Sequence, residues 1–242
     1  MAGDAVRYSV GWGGWAVIVG VGAVIALIAL LAGKPGKTLM RVPVPLALLL
    51  ALMALSLIWR QYRGFTGIAL AAQIGTTVFA LFLANQFGWR QLLNIFANTL
   101  RVVLGASLVF ELAAAIFGPI KPIFPNYEGD EPPSASYLWS QGNLFDGDRI
   151  QGIMGNANLL AFTAVLGIMV FLVEYIVTHK KRSLPLASLI LAVLLAALAK
   201  SAGMTLAIAL IAFAALIAIF SEGRDRAMRH KIYGYGIWRN QG

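Results

Sequence analysis

Seven apolar runs follow one another along the 242-residue chain, at 13–33, 42–59, 66–87, 102–120, 157–177, 184–198 and 202–220. A helix crossing the hydrocarbon core of a bilayer needs about 20 mostly apolar residues, and each run meets or approaches that length. No water inside the bilayer can satisfy backbone N–H and C=O groups, and a helix satisfies them within the run itself. Hydrophobic residues make up 60% of the chain and charged residues 12%. Soluble domains carry about 25% charged residues, and no soluble core of this size could hide so much apolar surface. The sequence predicts an all-α polytopic membrane protein of about seven transmembrane helices, with residues 1–242 forming one transmembrane domain. The sixth run is the shortest and reads as a tilted or half-buried segment, joined to the seventh by the tight turn Lys200-Ser201-Ala202-Gly203. The first run follows only one basic residue, Arg7. It has no clear cleavage site and further runs come after it, so it reads as a span rather than a signal peptide.

The formal net charge is +9. The basic residues form no single patch, which argues against a nucleic-acid partner. Instead they fall in short clusters between apolar runs. With seven spans the connections alternate sides. Thirteen of the nineteen Lys and Arg then share one side: Lys34, Lys37 and Arg41, Arg90 and Arg101, the 180–182 cluster, and the five between Arg224 and Arg239. Arg7, Arg60, Arg63, Lys121, Arg149 and Lys200 share the other. The richer side is expected to be cytoplasmic, which puts the N-terminus outside and the C-terminus inside. There is no cysteine, which excludes thiol chemistry and thiolate metal sites.

Between the third and fourth runs, "GWRQLLNIFANTLR" reads as a short amphipathic helix on the cytoplasmic surface. The longest connection, about 119–150, is expected outside, and its prolines and acidic residues predict irregular structure. Gly11, Gly13, Gly14, Gly20 and Gly22 in and before the first run suggest close helix packing.

The polar residues at the start of the fifth run carry the most information. In "GDRIQGIMGNANLLAF", Asn156 has the chemistry of an N-cap. Gly152 and Gly155 permit backbone shapes and close approaches that other residues resist. Arg149 stands one to two turns outside the helix start. A helix N-terminus beside a fixed cation attracts anions, phosphates above all; a merely capped helix with an interfacial arginine is the plainer reading. Arg60, Arg63 and Lys200 lie on the same sparsely charged side. They could grip phosphate oxygens or simply snorkel to the headgroups. Glu111 is the one carboxyl near the middle of a run. It should face the bundle interior, in either a functional or a structural hydrogen bond. Glu174, near His179 and Lys180, reads as an interfacial residue. Both histidines, His179 and His230, fall on the expected cytoplasmic side.

Arg149-Ile-Gln-Gly152 followed by Gly155-Asn156-Ala157-Asn158-Leu-Leu-Ala resembles the "R-x-x-G … G-N-P-N-x-x-A" signature of the O-antigen ligase and polymerase family, whose members are multi-span GT-C-type glycosyltransferases. "SLIWRQYRGFTGIALAAQ" is similar to the end of that family's second span, and "LAKSAGMTLAIALIAF" to the opening of a later one. The three segments lie in family order over most of 40–220. Ala157 stands where the family has proline, Arg60 where it has serine, and Lys200-Ser201 near its Ser-Arg pair. The family has about a dozen spans and a large outer domain, so the resemblance covers its N-terminal half only. It implies a C-terminal half that would supply further arginines and a histidine base.

The resemblance implies transfer of a glycan from an undecaprenyl-pyrophosphate carrier to an acceptor hydroxyl. The acceptor would be a glycan or glycolipid at the outer face of the cytoplasmic membrane, and no cofactor or metal would be needed. Arg149 would be the main pyrophosphate clamp and Arg63, Arg60 and Lys200 secondary ones, with Gly152, Gly155, Asn156 and Asn158 shaping the helix N-terminus. Two alternatives stand beside it: a non-catalytic accessory protein that docks the lipid carrier, and a transporter with Glu111 in its path. A transporter should carry polar, broken-helix positions at mid-membrane in several spans, whereas the polar groups here gather at one surface.

Overall fold

A computed structural model of the protein describes residues 3–32, 42–59, 63–124, 137–177, 182–210 and 213. Arg60, both histidines and the basic clusters at 34–41, 180–181 and 224–239 lie outside the described residues. The described chain is helical, with no β-strand among the described residues; Ile120 and Ser140 form one isolated antiparallel bridge. The helices are α1 (Gly3–Ala32), α2 (Val44–Trp59), α3 (Arg63–Gln86), α4 (Trp89–Phe117), α5 (Ala157–Val177) and α6 (Ser183–Ala199). A 3₁₀ turn at Gly152–Met154 precedes α5, and 202–210 is again helical.

The protein is a membrane protein. Among the described residues four helices are long and apolar enough to cross a bilayer: α1, α3, α4 and α5. The helices α2 and α6 are apolar but shorter, 16 and 17 residues, about 24 and 26 Å at 1.5 Å per residue. Much of the apolar surface of α1, α2 and α3 is exposed, as it should be where lipid is the neighbour.

Two groups of helices pack. The first joins α3 to both α1 and α2; the second joins α4, α5 and α6 around the 3₁₀ turn. The core sits in the second group, on Leu100, Leu104, Leu160, Ala161, Ala164, Phe171, Ala192 and Leu195. At its centre Gly167 faces Leu104 and Ala192 so closely that a Cβ there would meet them at 3.0 and 3.3 Å. The glycines of α1 behave otherwise. Around Gly13, Gly20 and Gly22 a Cβ would meet nothing within 4 Å among the described residues, so the close packing expected there is not found; at Gly14 it would meet Val10 of the same helix at 2.8 Å, and only at Gly11, where α1 bends, would it meet another segment, Phe124 at 3.5 Å.

The expected surface helix between spans three and four is also corrected. Residues 89–117 form one unbroken helix. Its buried residues explain why: Ala97, Leu100, Leu104, Ser107, Glu111 and Ala114 recur at alternating steps of three and four, which keeps one stripe facing its partners from end to end. The helix contains neither proline nor a break in that stripe, so the amphipathic start and the apolar end propagate as one.

Continuity carries Arg101 into the bundle, and this overturns the reading of Glu174 as a plain interfacial residue. Arg101 Nη2 pairs with Glu174 Oε2, Nε donates to Ser188 Oγ at 2.9 Å and Nη1 to Asn98 Oδ1 at 2.7 Å, and the guanidinium lies over the Phe171 ring. The cluster ties α4, α5 and α6 together at the end where α5 finishes and α6 begins. Exposed ion pairs contribute about 0.2–1 kcal/mol, and desolvated ones cost several when one partner is removed. Arg101 and Glu174 are 16% and 28% exposed, between those limits. A double-mutant cycle of Arg101→Ala and Glu174→Ala, read by thermal unfolding in nanodiscs, should give a coupling of about 1–2 kcal/mol; additivity would remove the brace.

Candidate functional site

The opposite end of the second helix group gathers the start of α1, the end of α4, the start of α5 and the end of α6. Its organising group is Glu111, which is fully buried. Glu111 Oε1 accepts from the backbone N–H of Gln151 at 2.9 Å and of Gly152 at 2.6 Å, and Oε2 accepts from Ser140 Oγ at 3.0 Å. Ser140 Oγ accepts in turn from the Gly142 N–H at 3.2 Å. The carboxyl thus stands in for the backbone partners that residues 151–152 lack. It pins the connection between α4 and α5 onto α4, which is the structural role of the two left open by sequence.

Aromatic packing does the rest. Trp139 Nε1 donates to Ile153 O at 2.9 Å, and the indole stacks against Phe110 and Tyr8, with centroids 4.8 and 5.4 Å away. Tyr8 O accepts from Ile123 and Phe124 N–H, both at 3.0 Å. The described parts of the 119–150 connection are irregular, as expected, but firmly held.

Both motif glycines are dictated by this packing. Gly152 and Gly155 each have φ of +61°, a conformation that L side chains resist. A Cβ on Gly152 would stand 2.8 Å from Ser107 Cβ and Oγ, and one on Gly155 would stand 2.6 Å from the Tyr8 ring. These glycines admit neighbouring side chains of the chain itself.

Asn156 caps α5. Its Oδ1 accepts from the N–H of Asn158 at 2.8 Å and of Leu159 at 3.3 Å. Those two amides are therefore occupied, so the helix start offers a field to an anion rather than these N–H groups.

Arg149 lies beside that helix start and is exposed. Its Nε donates to Ala199 O at 3.2 Å and its Nη2 to Asn158 Oδ1 at 2.6 Å, while Ser201 Oγ donates to the same Oδ1 at 3.1 Å. A guanidinium has five N–H groups; two are engaged here, and Nη1 has no protein partner among the described residues. Two further bonds lash the 147–150 segment to the end of α6: Ile150 N–H donates to Leu198 O at 3.4 Å, and Lys200 Nζ donates to Gly147 O. Arg149 is in neither of the ion pairs among the described residues, which are Arg7–Asp4 and Arg101–Glu174. It borders a polar cleft of about 450 Å³ lined by Gln141, Asn143, Asp148, Gln151 and the 155–158 turn. One carboxyl, that of Asp148, shares the cleft. Gln151 Oε1 is buried there without a hydrogen-bond donor.

Of the expected site residues, Arg149, Gly152, Gly155, Asn156 and Asn158 come together, with Glu111 beneath them. Lys200 joins the cluster as a clasp rather than a wall of the cleft. It caps α6 with φ of +46° and borders a separate apolar groove with Ala197, Leu206 and Ala209. Arg63 is the first residue of α3, in the other helix group, and Arg60 lies outside the described residues.

Sequence reasoning missed Tyr8, Trp139 and Ser140; Ser201 entered it only beside Lys200, in the turn after the sixth run and near the family's Ser-Arg pair. No protein-family model, curated protein or solved structure matches the chain.

Proposed function

We propose that the protein works at the outer face of the cytoplasmic membrane in transfer of a glycan from undecaprenyl pyrophosphate to an acceptor hydroxyl, as an enzyme resembling the O-antigen ligases and polymerases. In this reading it crosses the membrane seven times, with the N-terminus outside. The start of α1, the end of α4, the start of α5 and the end of α6 gather at one end of the molecule, as six alternating crossings would place them, and the seventh run would then end inside. Most basic residues of the connections then fall inside.

The observation that carries the proposal is the Arg149 fork: a cation held at two N–H groups, with Nη1 unpaired among the described residues, on a polar cleft at the start of α5. In the transfer, the bond between the anomeric carbon and the carrier's phosphate oxygen breaks. The acceptor oxygen forms the new bond and its proton passes to a base. Charge grows on the departing diphosphate, and Arg149 stabilises it. The base is not assigned.

The test is reconstitution of the protein as its cell produces it, together with any C-terminal half that the resemblance implies, with a radiolabelled undecaprenyl-pyrophosphate glycan and an acceptor glycolipid. Consumption of donor with release of undecaprenyl pyrophosphate is the expected result. Donor binding without consumption would favour the accessory, lipid-docking reading, and neither binding nor consumption would overturn the proposal.

A further inference from the structure

We propose that Asn158 is a positioning residue: held by Ser201, it orients Arg149 toward the cleft as a fully charged fork. This rests on the diphosphate reading for its ligand, but the geometry stands by itself. Asn158 Oδ1 is the shared acceptor of two donors, Arg149 Nη2 and Ser201 Oγ. Ser201 is buried, so its hydroxyl is a fixed reference point at the junction between α6 and the 202–210 helix. Two donors on one oxygen define which face of the amide is Oδ1, and Nδ2 points elsewhere. With Nε bound to Ala199 O, the guanidinium plane is fixed at two points, and Nη1 has no partner among the described residues.

The neutrality of the acceptor matters. A carboxylate at position 158 would hold the arginine just as firmly, but would pair with it and cancel the field that an anion feels. An amide orients without neutralising. Asn158 also sits at the second position of α5, where its backbone N–H is taken by Asn156 Oδ1. The side chain is therefore not the helix cap, and replacing it leaves that cap in place.

The experiment uses the full chain in nanodiscs, with farnesyl diphosphate as the probe. Two readouts are taken: the order of the Arg149 Nε–H group by NMR of arginine-labelled protein, and probe affinity. Asn158→Leu should loosen the Nε–H group and weaken binding about tenfold or more, the worth of a charge-assisted hydrogen bond. Asn158→Asp should keep the Nε–H group ordered yet also bind about tenfold more weakly. A purely structural asparagine would not separate order from affinity in this way. The inference is overturned if Asn158→Leu leaves Arg149 as ordered as in the wild type, or if Asn158→Asp binds the probe as tightly. If the wild type binds no farnesyl diphosphate while Asn158→Leu still disorders Arg149, the diphosphate reading falls and the positioning role is supported.

Discussion

Replacing Glu111 with leucine should destabilise the protein by about 2–5 kcal/mol, whereas Glu111→Gln should cost about 1 kcal/mol or less. The difference follows from counting partners. Leucine removes the acceptor of two backbone N–H groups, at Gln151 and Gly152, and of the Ser140 hydroxyl. The Gly152 amide belongs to a buried residue, so water cannot replace the lost oxygen, and an unsatisfied buried donor costs about 1–3 kcal/mol. Glutamine keeps one oxygen for the two amides. Its NH₂ then meets Ser140 Oγ, a hydroxyl that can turn and accept. Thermal unfolding in nanodiscs measures the first effect, and limited proteolysis between α4 and α5 tests where it acts. A Glu111→Leu protein as stable as wild type, with an equally resistant connection, would show that the carboxyl does not hold the segment.

The role of Glu111 also shows how much of this structure was legible beforehand. The apolar runs marked the helices because length and hydropathy are local properties of the chain. The cap at Asn156 was legible for the same reason: its acceptor lies two and three residues from its donors. The partners of Glu111 were not, because they come from 29 to 41 residues away and depend on a connection with no regular pattern. The separate surface helix read over 89–101 failed for a different reason. A hydropathy window sees the polar residues of 89–101 as a break, while the alternating three-and-four stripe of α4 runs straight through them. Lys200 was expected at the phosphate site from its side of the membrane and from its place near the family's Ser-Arg pair; the backbone turn that caps α6 aims it at Gly147 instead.

If the protein transfers a glycan as proposed, Arg149→Ala should lower that transfer by about 100- to 1,000-fold, the loss typical when one preorganised donor to a developing oxyanion is removed. Membrane insertion and folding should survive. The two bonds that Arg149 makes, to Ala199 O and Asn158 Oδ1, lie at the exposed rim, and the 147–150 segment keeps its bonds from Ile150 and Lys200. Arg149→Lys distinguishes a fork from a point charge. Lysine restores the positive charge but cannot hold Ala199 O and Asn158 Oδ1 while presenting two parallel N–H groups to a phosphate. It should therefore recover only part of the rate, by about tenfold over alanine, since a charged hydrogen bond is worth roughly 1.5–3 kcal/mol. The assay is the initial rate of donor consumption, made on the protein as its cell produces it, with membrane content and unfolding temperature matched to wild type. Wild-type rates in Arg149→Ala would remove the clamp. Equal rates in Arg149→Lys and wild type would leave only a diffuse field at the start of α5, the weaker of the two effects because Asn156 already occupies the amides of Asn158 and Leu159.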